Sequence, residues 1–221
     1  PSVTTTGINA GGLKVTGVAN GNIAANSQEA VNGGQIFTLR EQLYSVGAGV
    51  KYFHANSAEP DSIANGGQSV AIGPNSVSDG FHSIAAGDGA TTALNGEAAI
   101  AVGRLATTAA ARSIALGDRA NAGNLNVQDT IAIGTTAAVT GDFSLKGIAI
   151  GHAATVSAVD AVALGAGTVA SGAGAAAVGA NSVAGGAESV AIGRATATGA
   201  RALAAGSGAT VATADSIALG T

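Results

Sequence analysis

The chain has 221 residues, a net charge of −4, 3% aromatic residues and no cysteine, methionine or tryptophan. These values exclude a conventional core of large side chains, disulfides, thiolate catalysis and cysteine metal sites. With 10% charged residues and no Lys/Arg cluster, they also argue against nucleic-acid binding. The mean hydropathy is +0.39 although no stretch reaches the ~20 apolar residues of a membrane helix, so apolar surface is expected to be covered by another copy of the chain.

Residues 1–34 carry no periodic signal, although Ser27 is a candidate helix cap. Ile36, Leu39, Leu43 and Val46 then fall at 3, 4, 3 spacing, which predicts a short coiled-coil helix over 35–48. Gly47, Gly49 and the β-prone Val50 to Phe53 mark a return to extended chain, giving a connector over 49–60. Asp61 to Gly66 (DSIANG) matches half of the repeat that follows, so a repeat domain is assigned to 61–221. Thr221 stops one residue into a repeat, so an excised fragment is expected.

The repeat is a five-residue unit, x-[V/I/L]-Ala-x-Gly, occurring eleven times, once with Ala176 in the aliphatic position, with successive glycines mostly 14 residues apart. That period is too short for a helical repeat unit and fits two short strands and two turns in one flattened coil. Stacked coils make a parallel β-solenoid, about 50 Å long at ~4.8 Å per coil. Ordering fourteen residues costs roughly 14 to 28 kcal/mol, whereas two buried aliphatics return about 3 to 6, so no coil stands alone. Glycine is expected to supply the positive φ of the turns.

The central residue of the unit is Ala in every copy: Ala71, Ala85, Ala101, Ala115, Ala132, Ala149, Ala163, Ala177, Ala191, Ala204 and Ala218. Branched aliphatics flank it, as Ile131 and Ile133 flank Ala132, so period-2 alternation gives each strand two different faces. The expectation is that the aliphatics fill the coil interior and the smooth alanine face packs on sister chains.

Five residues before each glycine stands a variable polar position, where Arg112, Asp129, Lys146 and Asp160 alternate in sign, as do Glu188, Arg201 and Asp215. Stacked in one column, such residues either fix register between near-identical coils or form an ordinary solvated rim. Three longer steps, of 16, 17 and 17 residues, carry insertions near Leu94–Glu97, Asn121–Gln128 and Gly141–Lys146. Leu94, Asn95, Leu125, Asn126, Val127, Asp142, Phe143 and Lys146 are therefore candidate ligand contacts, the alternative being tolerated length variation with side chains folded back. The three histidines, His54, His82 and His152, have no partner at metal-ligand spacing, and no nucleophile motif accompanies the serines. No catalytic, cofactor or metal site is expected.

Units such as Ser69 to Gly73 (SVAIG), Ser113 to Gly117 (SIALG) and Ser189 to Gly193 (SVAIG) resemble the head repeats of YadA-like trimeric autotransporter adhesins. Gly11 to Val18 (GGLKVTGV), Glu29 to Ile36 (EAVNGGQI) and Lys51 to Ser57 (KYFHANS) are similar, in order, to that family's neck entry, neck motif and coil-to-head connector. The resemblance implies a mainly β fold: a left-handed parallel β-roll in a homotrimer, with a neck over 1–34 and a short coiled-coil helix before it. It also implies a Gram-negative cell surface, an outer-membrane anchor elsewhere in the protein, and adhesion to host cells or matrix proteins. Ala30, Val31, Asn32, Gly33 and Gln35 fall on the neck motif and, by resemblance, serve chain crossover. The Asn that precedes the strand in collagen-binding heads is absent from all eleven copies, which removes the basis for collagen binding. A hexapeptide acyltransferase solenoid does not fit the 14-residue period, and a purely structural or ice-binding solenoid is the remaining alternative.

Overall fold

The computed structural model describes residues 2–4, 7–44, 56–141 and 146–220, and the chain divides into two units, Pro1–Asn56 and Ser57–Thr221. In the first unit, strand β1 (Ser2–Thr4) pairs antiparallel with β2 (Gly7–Asn9), Val3 standing opposite Ile8. Helix α1 spans Gly33–Tyr44, beginning two residues before the predicted start. The cause is a reciprocal cap. The Gln35 N–H donates to Asn32 Oδ1 at 3.1 Å, and the Asn32 N–H donates to Gln35 Oε1 at 3.2 Å. Ser27 caps no helix; its hydroxyl accepts the Glu29 N–H at 3.3 Å within a turn. Ile36 and Leu39 of the expected seam are exposed on α1, while Val46 lies outside the described residues.

The second unit is a parallel β-solenoid of eleven coils. Each coil contributes a two-residue short strand and a three-residue long strand, from Ile63–Ala64 and Val70–Ile72 in coil 1 to Thr210–Val211 and Ile217–Leu219 in coil 11. The long strands form one eleven-stranded sheet and the short strands another, each in strict chain order. Register is unbroken even across the longer steps: Ala85 pairs with Ala101, Ala115 with Ala132 and Ala132 with Ala149. The inserted residues are thus absorbed outside both ladders.

The alanine column lies inside the coil. From Ala85 to Ala204 every one of these alanines is 0% exposed within the single chain. Facing them from the short strands are Ser78, Thr92, Thr108, Ala122, Val139, Val156, Ala170, Ala184, Ala197 and Val211, all buried. The largest fully buried side chains are valines: Val127, Val139 and Val156. The expected assignment is therefore reversed. A coil this short leaves a gap between its sheets that admits a methyl or an isopropyl group but no Leu or Ile, so pleating sends the small residue inward and both bulky neighbours outward. Val70, Ile72, Ile84, Leu116, Ile150, Leu164, Val178 and Ile192 accordingly stand exposed on the outer face of the long sheet.

Buried hydroxyls interrupt this interior mainly in its first coils, where each has a partner. Ser83 Oγ lies 2.8 Å from both Ser78 Oγ and Thr92 Oγ1 and donates to the Gly80 carbonyl at 2.7 Å. In the middle, the Thr130 hydroxyl lies 2.7 Å from the Ala122 carbonyl and 2.9 Å from Ser113 Oγ.

Glycine closes each long strand for a second reason besides φ. A Cβ on Gly134, at φ +131°, would stand 2.5 Å from the carbonyl oxygen of Gly151 in the next coil. The closing glycines pack backbone on backbone. Ala132→Leu is expected to cost about 1–3 kcal/mol or more by overpacking the coil, whereas Ile131→Leu on the outer face of the same strand costs under ~1.5. Chemical denaturation of the two variants, with equal losses, would count against the thin-core assignment.

Candidate functional site

Every coil turns two corners, one from short to long strand and one from long to short. Both use left-handed backbone. Seventeen non-glycine residues of the solenoid have φ between 52° and 60°, including Gln68, His82, Arg112, Asp129 and Lys146 at the first corner and Leu105, Arg119 and Thr136 at the second. Each costs about 1–2 kcal/mol. They are held by the stack, since the corner N–H groups donate to the preceding coil: Arg112 to the Glu97 carbonyl at 2.7 Å, Lys146 to that of Gln128 at 3.0 Å.

All three insertions fall at the short-to-long corner, in coils 3, 5 and 6, between Thr91–Thr92 and Ile100–Val102, Asn121–Ala122 and Ile131–Ile133, and Ala138–Val139 and Ile148–Ile150. Leu94 is 78% exposed and Leu125 59% exposed, with Asn95 and Asn126 exposed beside them. Val127 departs from expectation. It is 1% exposed and folds back over Gly123 to plug the coil, so it is removed from the ligand candidates. Asp142 and Phe143 lie outside the described residues, whereas Lys146 is exposed at the end of the third insertion.

The polar column runs along this same edge and pairs between coils. Arg112 grips Asp129 through Nε–Oδ1 at 2.7 Å and Nη2–Oδ2 at 3.2 Å, and reaches Gln128 Oε1 at 2.5 Å. Arg201 grips Asp215 likewise, at 2.5 and 2.7 Å. The hydrogen bond from Arg112 holds the Asp129 carboxyl below the usual carboxylate range, with Lys146 adding a lesser attraction, and Arg201 does the same to Asp215. These pairs are exposed, so they stabilise little.

The opposite corner also carries paired charges. Arg104 Nη2 makes an ion-pair contact with Asp118 Oδ1 at 2.7 Å without hydrogen-bond alignment, and Arg119 Nη1 meets Asp118 Oδ2 at 3.2 Å. Asp88, Arg104 and Asp118 each directly follow a closing glycine, which was the legible signal.

In the first unit the neck-motif residues gather around two amides. Gln35 Nε2 donates to the Gly21 carbonyl at 2.7 Å while its Oε1 accepts the Gly21 N–H at 2.9 Å, and Asn32 Nδ2 donates to Val18 O and Asn20 Oδ1. Ala30, Val31, Asn32 and Gly33 line an open groove of about 610 Å³ with Val15 to Val18. Among the described residues, no cluster of three His, Cys, Asp or Glu could hold a metal ion, and no helix is long and apolar enough to cross a membrane.

A family model described as the YadA head domain repeat matches residues 64–90, 95–120, 128–145, 146–168, 170–196 and 197–221, most of the chain and nearly all of the solenoid. The chain belongs to the YadA head-repeat family of trimeric autotransporter adhesins. It is also 39% identical over 85 residues to the autotransporter adhesin EhaG of Escherichia coli O157:H7, a match covering 37% of this chain and 5% of that protein.

Because the Asp129 and Asp215 values are depressed on folding, the stability their pairs confer is complete above the unfolded carboxylate value, roughly pH 4. It is lost as pH falls through the lower folded values. An Asp129→Asn/Asp215→Asn variant is therefore expected to show a shallower fall of Tm between pH 5 and 2 than the parent chain; identical acid limbs in a thermal-melt series would show that the pairs contribute nothing.

Proposed function

We propose that this chain is the head of a cell-surface adhesin that works as a homotrimer, attaching to host cells or extracellular matrix through its short-to-long corner. The observation that carries this reading is the outer face of the long sheet. Two mostly aliphatic columns run along eleven coils, over about 50 Å, and stay half-buried or exposed in the single chain, none of them fully buried. An apolar strip of that length is sustainable in water only when covered, and repetition of one chain supplies identical strips to cover one another.

With the long sheets turned inward, the corners are left at the surface. Length variation of two to three residues is tolerated at one corner without disturbing either ladder, as expected of an edge that no sister chain grips. Leu94 and Leu125 project there beside Asn95, Asn126 and Lys146. Mechanistically, three copies of each weak site on one head, and many heads on one cell, convert low monovalent affinity into firm attachment. The anchor and the stalk are assigned to other parts of the full protein, and Ala30, Val31, Asn32, Gly33 and Gln35 to chain crossover between roll and coil. No enzymatic role is assigned.

A second reading, a spacer without a ligand of its own, is favoured for coils 7 to 11. Their short-to-long corners have no insertion and are built from Val159, Ala173, Ala187, Ala200 and Ala214 next to the polar column.

Sedimentation at micromolar concentration is expected to give three times the chain mass, and Ile131→Asp/Ile148→Asp is expected to abolish that association. Leu94→Ser/Leu125→Ser, trimeric and folded, is expected to reduce attachment to cultured epithelial cells at least fivefold. Full attachment by that variant would remove the corner as the binding edge.

A further inference from the structure

At the short-to-long corner of coil 2 an aromatic ring is fixed in place with part of its surface open. Phe81 closes down on Gly67 of coil 1, so that a Cβ on Gly67 would stand 2.7 Å from Phe81 Cε2. His82 lies against the ring from the side, with centroids 3.9 Å apart and planes tilted by 56°. Phe81 is nonetheless 47% exposed. A ring held by two neighbours has little rotamer freedom left to lose when something lands on it.

Polar groups of the kinds a hydroxylated ligand needs surround it. His82 Nε2 donates to Gln68 Oε1 at 2.5 Å, and both side chains are exposed, so the Gln68 Nε2 hydrogens and the second imidazole nitrogen are left for a ligand. From coil 3, the Ala98 N–H donates to the Phe81 carbonyl at 2.8 Å, which seats the exposed Glu97 in the column position directly after Phe81. The Leu94–Asn95 insertion of coil 3 opens at the same corner. An amide, an imidazole and a carboxylate thus lie within about two coil spacings, roughly 10 Å, of one pinned aromatic face.

We infer that this corner is a saccharide-binding platform: a pyranose ring rests its C–H face on Phe81 and exchanges hydrogen bonds through its hydroxyls with Gln68, His82 and Glu97. The partial negative charge of an aromatic face attracts polarised C–H bonds, and these planar side chains offer both donors and acceptors at fixed directions. A protein epitope fits less well. It needs about 800 Å² on each side around a desolvated centre, whereas this corner is a narrow ridge between tight turns with one ring-sized surface. A site for a single sugar is weak, which is the regime in which threefold and cell-wide repetition matters. The inference rests on the adhesin reading and gives it a ligand class.

The test is saturation-transfer NMR on the assembled head with the methyl β-glycosides of galactose, glucose and N-acetylglucosamine. At least one is expected to receive saturation on the C–H protons of one ring face. Phe81→Ala is expected to weaken binding at least tenfold with unchanged circular dichroism, Phe81 being outside the core, and Phe81→Trp to retain it. No transfer to any of the three sugars, or transfer undiminished in Phe81→Ala, overturns the proposal. Epithelial-cell attachment measured before and after periodate oxidation of the cell glycans separates the two readings. Attachment that survives both periodate and Phe81→Ala overturns the saccharide site and leaves the adhesin standing; absence of attachment by the parent head sinks the adhesin reading, while the NMR arm still decides the site.

Discussion

The narrow gap between the two sheets of each coil governs the rest of the molecule. A coil of about fourteen residues, with strands of two and three residues, encloses a space that alanine, serine, threonine and an occasional valine fill completely. Burying a methyl returns far less free energy than burying an isobutyl group, so the interior alone cannot offset the ordering of the coil. Two consequences follow. The backbone ladders must continue without a break from coil to coil, and the larger aliphatics, having no room inside, must find their burial outside. Solenoid length answers that shortage of core directly, and the proposed self-association would answer it a second time.

The same economy explains the corners. A flat coil must reverse direction within a few residues twice per turn, and it does so with left-handed backbone even where the residue is Arg, Leu or Thr. Such strain persists because the neighbouring coils over-determine it. At the end of the long strand even a methyl is excluded, since the carbonyl of the next closing glycine occupies the place a Cβ would take. Corner residues therefore have fixed backbones and many exposed side chains, a favourable arrangement for presenting groups to a partner.

Much of this was legible in the sequence, and the failures have physical causes. The period, the two strands per coil, the in-register columns and the location of the insertions on one edge follow from counting between glycines. Alternation identified two faces but not which was inside. Ala132 between Ile131 and Ile133 reads equally well either way until the width of the gap is known. Val127 sits in an insertion, and insertions usually project, yet its side chain is buried over Gly123. Left-handed φ at Leu105 or Thr136 has no signature in those residue types. The Asn32–Gln35 cap, by contrast, stood in plain view three residues apart, and Phe81 over Gly67 becomes visible once the two are aligned fourteen residues apart.

The insertions, the exposed Phe81 and the Arg112–Asp129 pair all fall in coils 2 to 6, while coils 7 to 11 carry no insertion and keep the Arg201–Asp215 pair. Both rest on small residues inside and aliphatics outside, and the absence of native cysteine makes that arrangement directly measurable. Thiol labelling of Ala149→Cys and Ile148→Cys, each in the associated head and in the Ile131→Asp background that separates the chains, is the most direct measurement. The account predicts that Cys at 149 is protected in both states, whereas Cys at 148 is protected only on association; protection of 148 in separated chains together with exposure of 149 would contradict it.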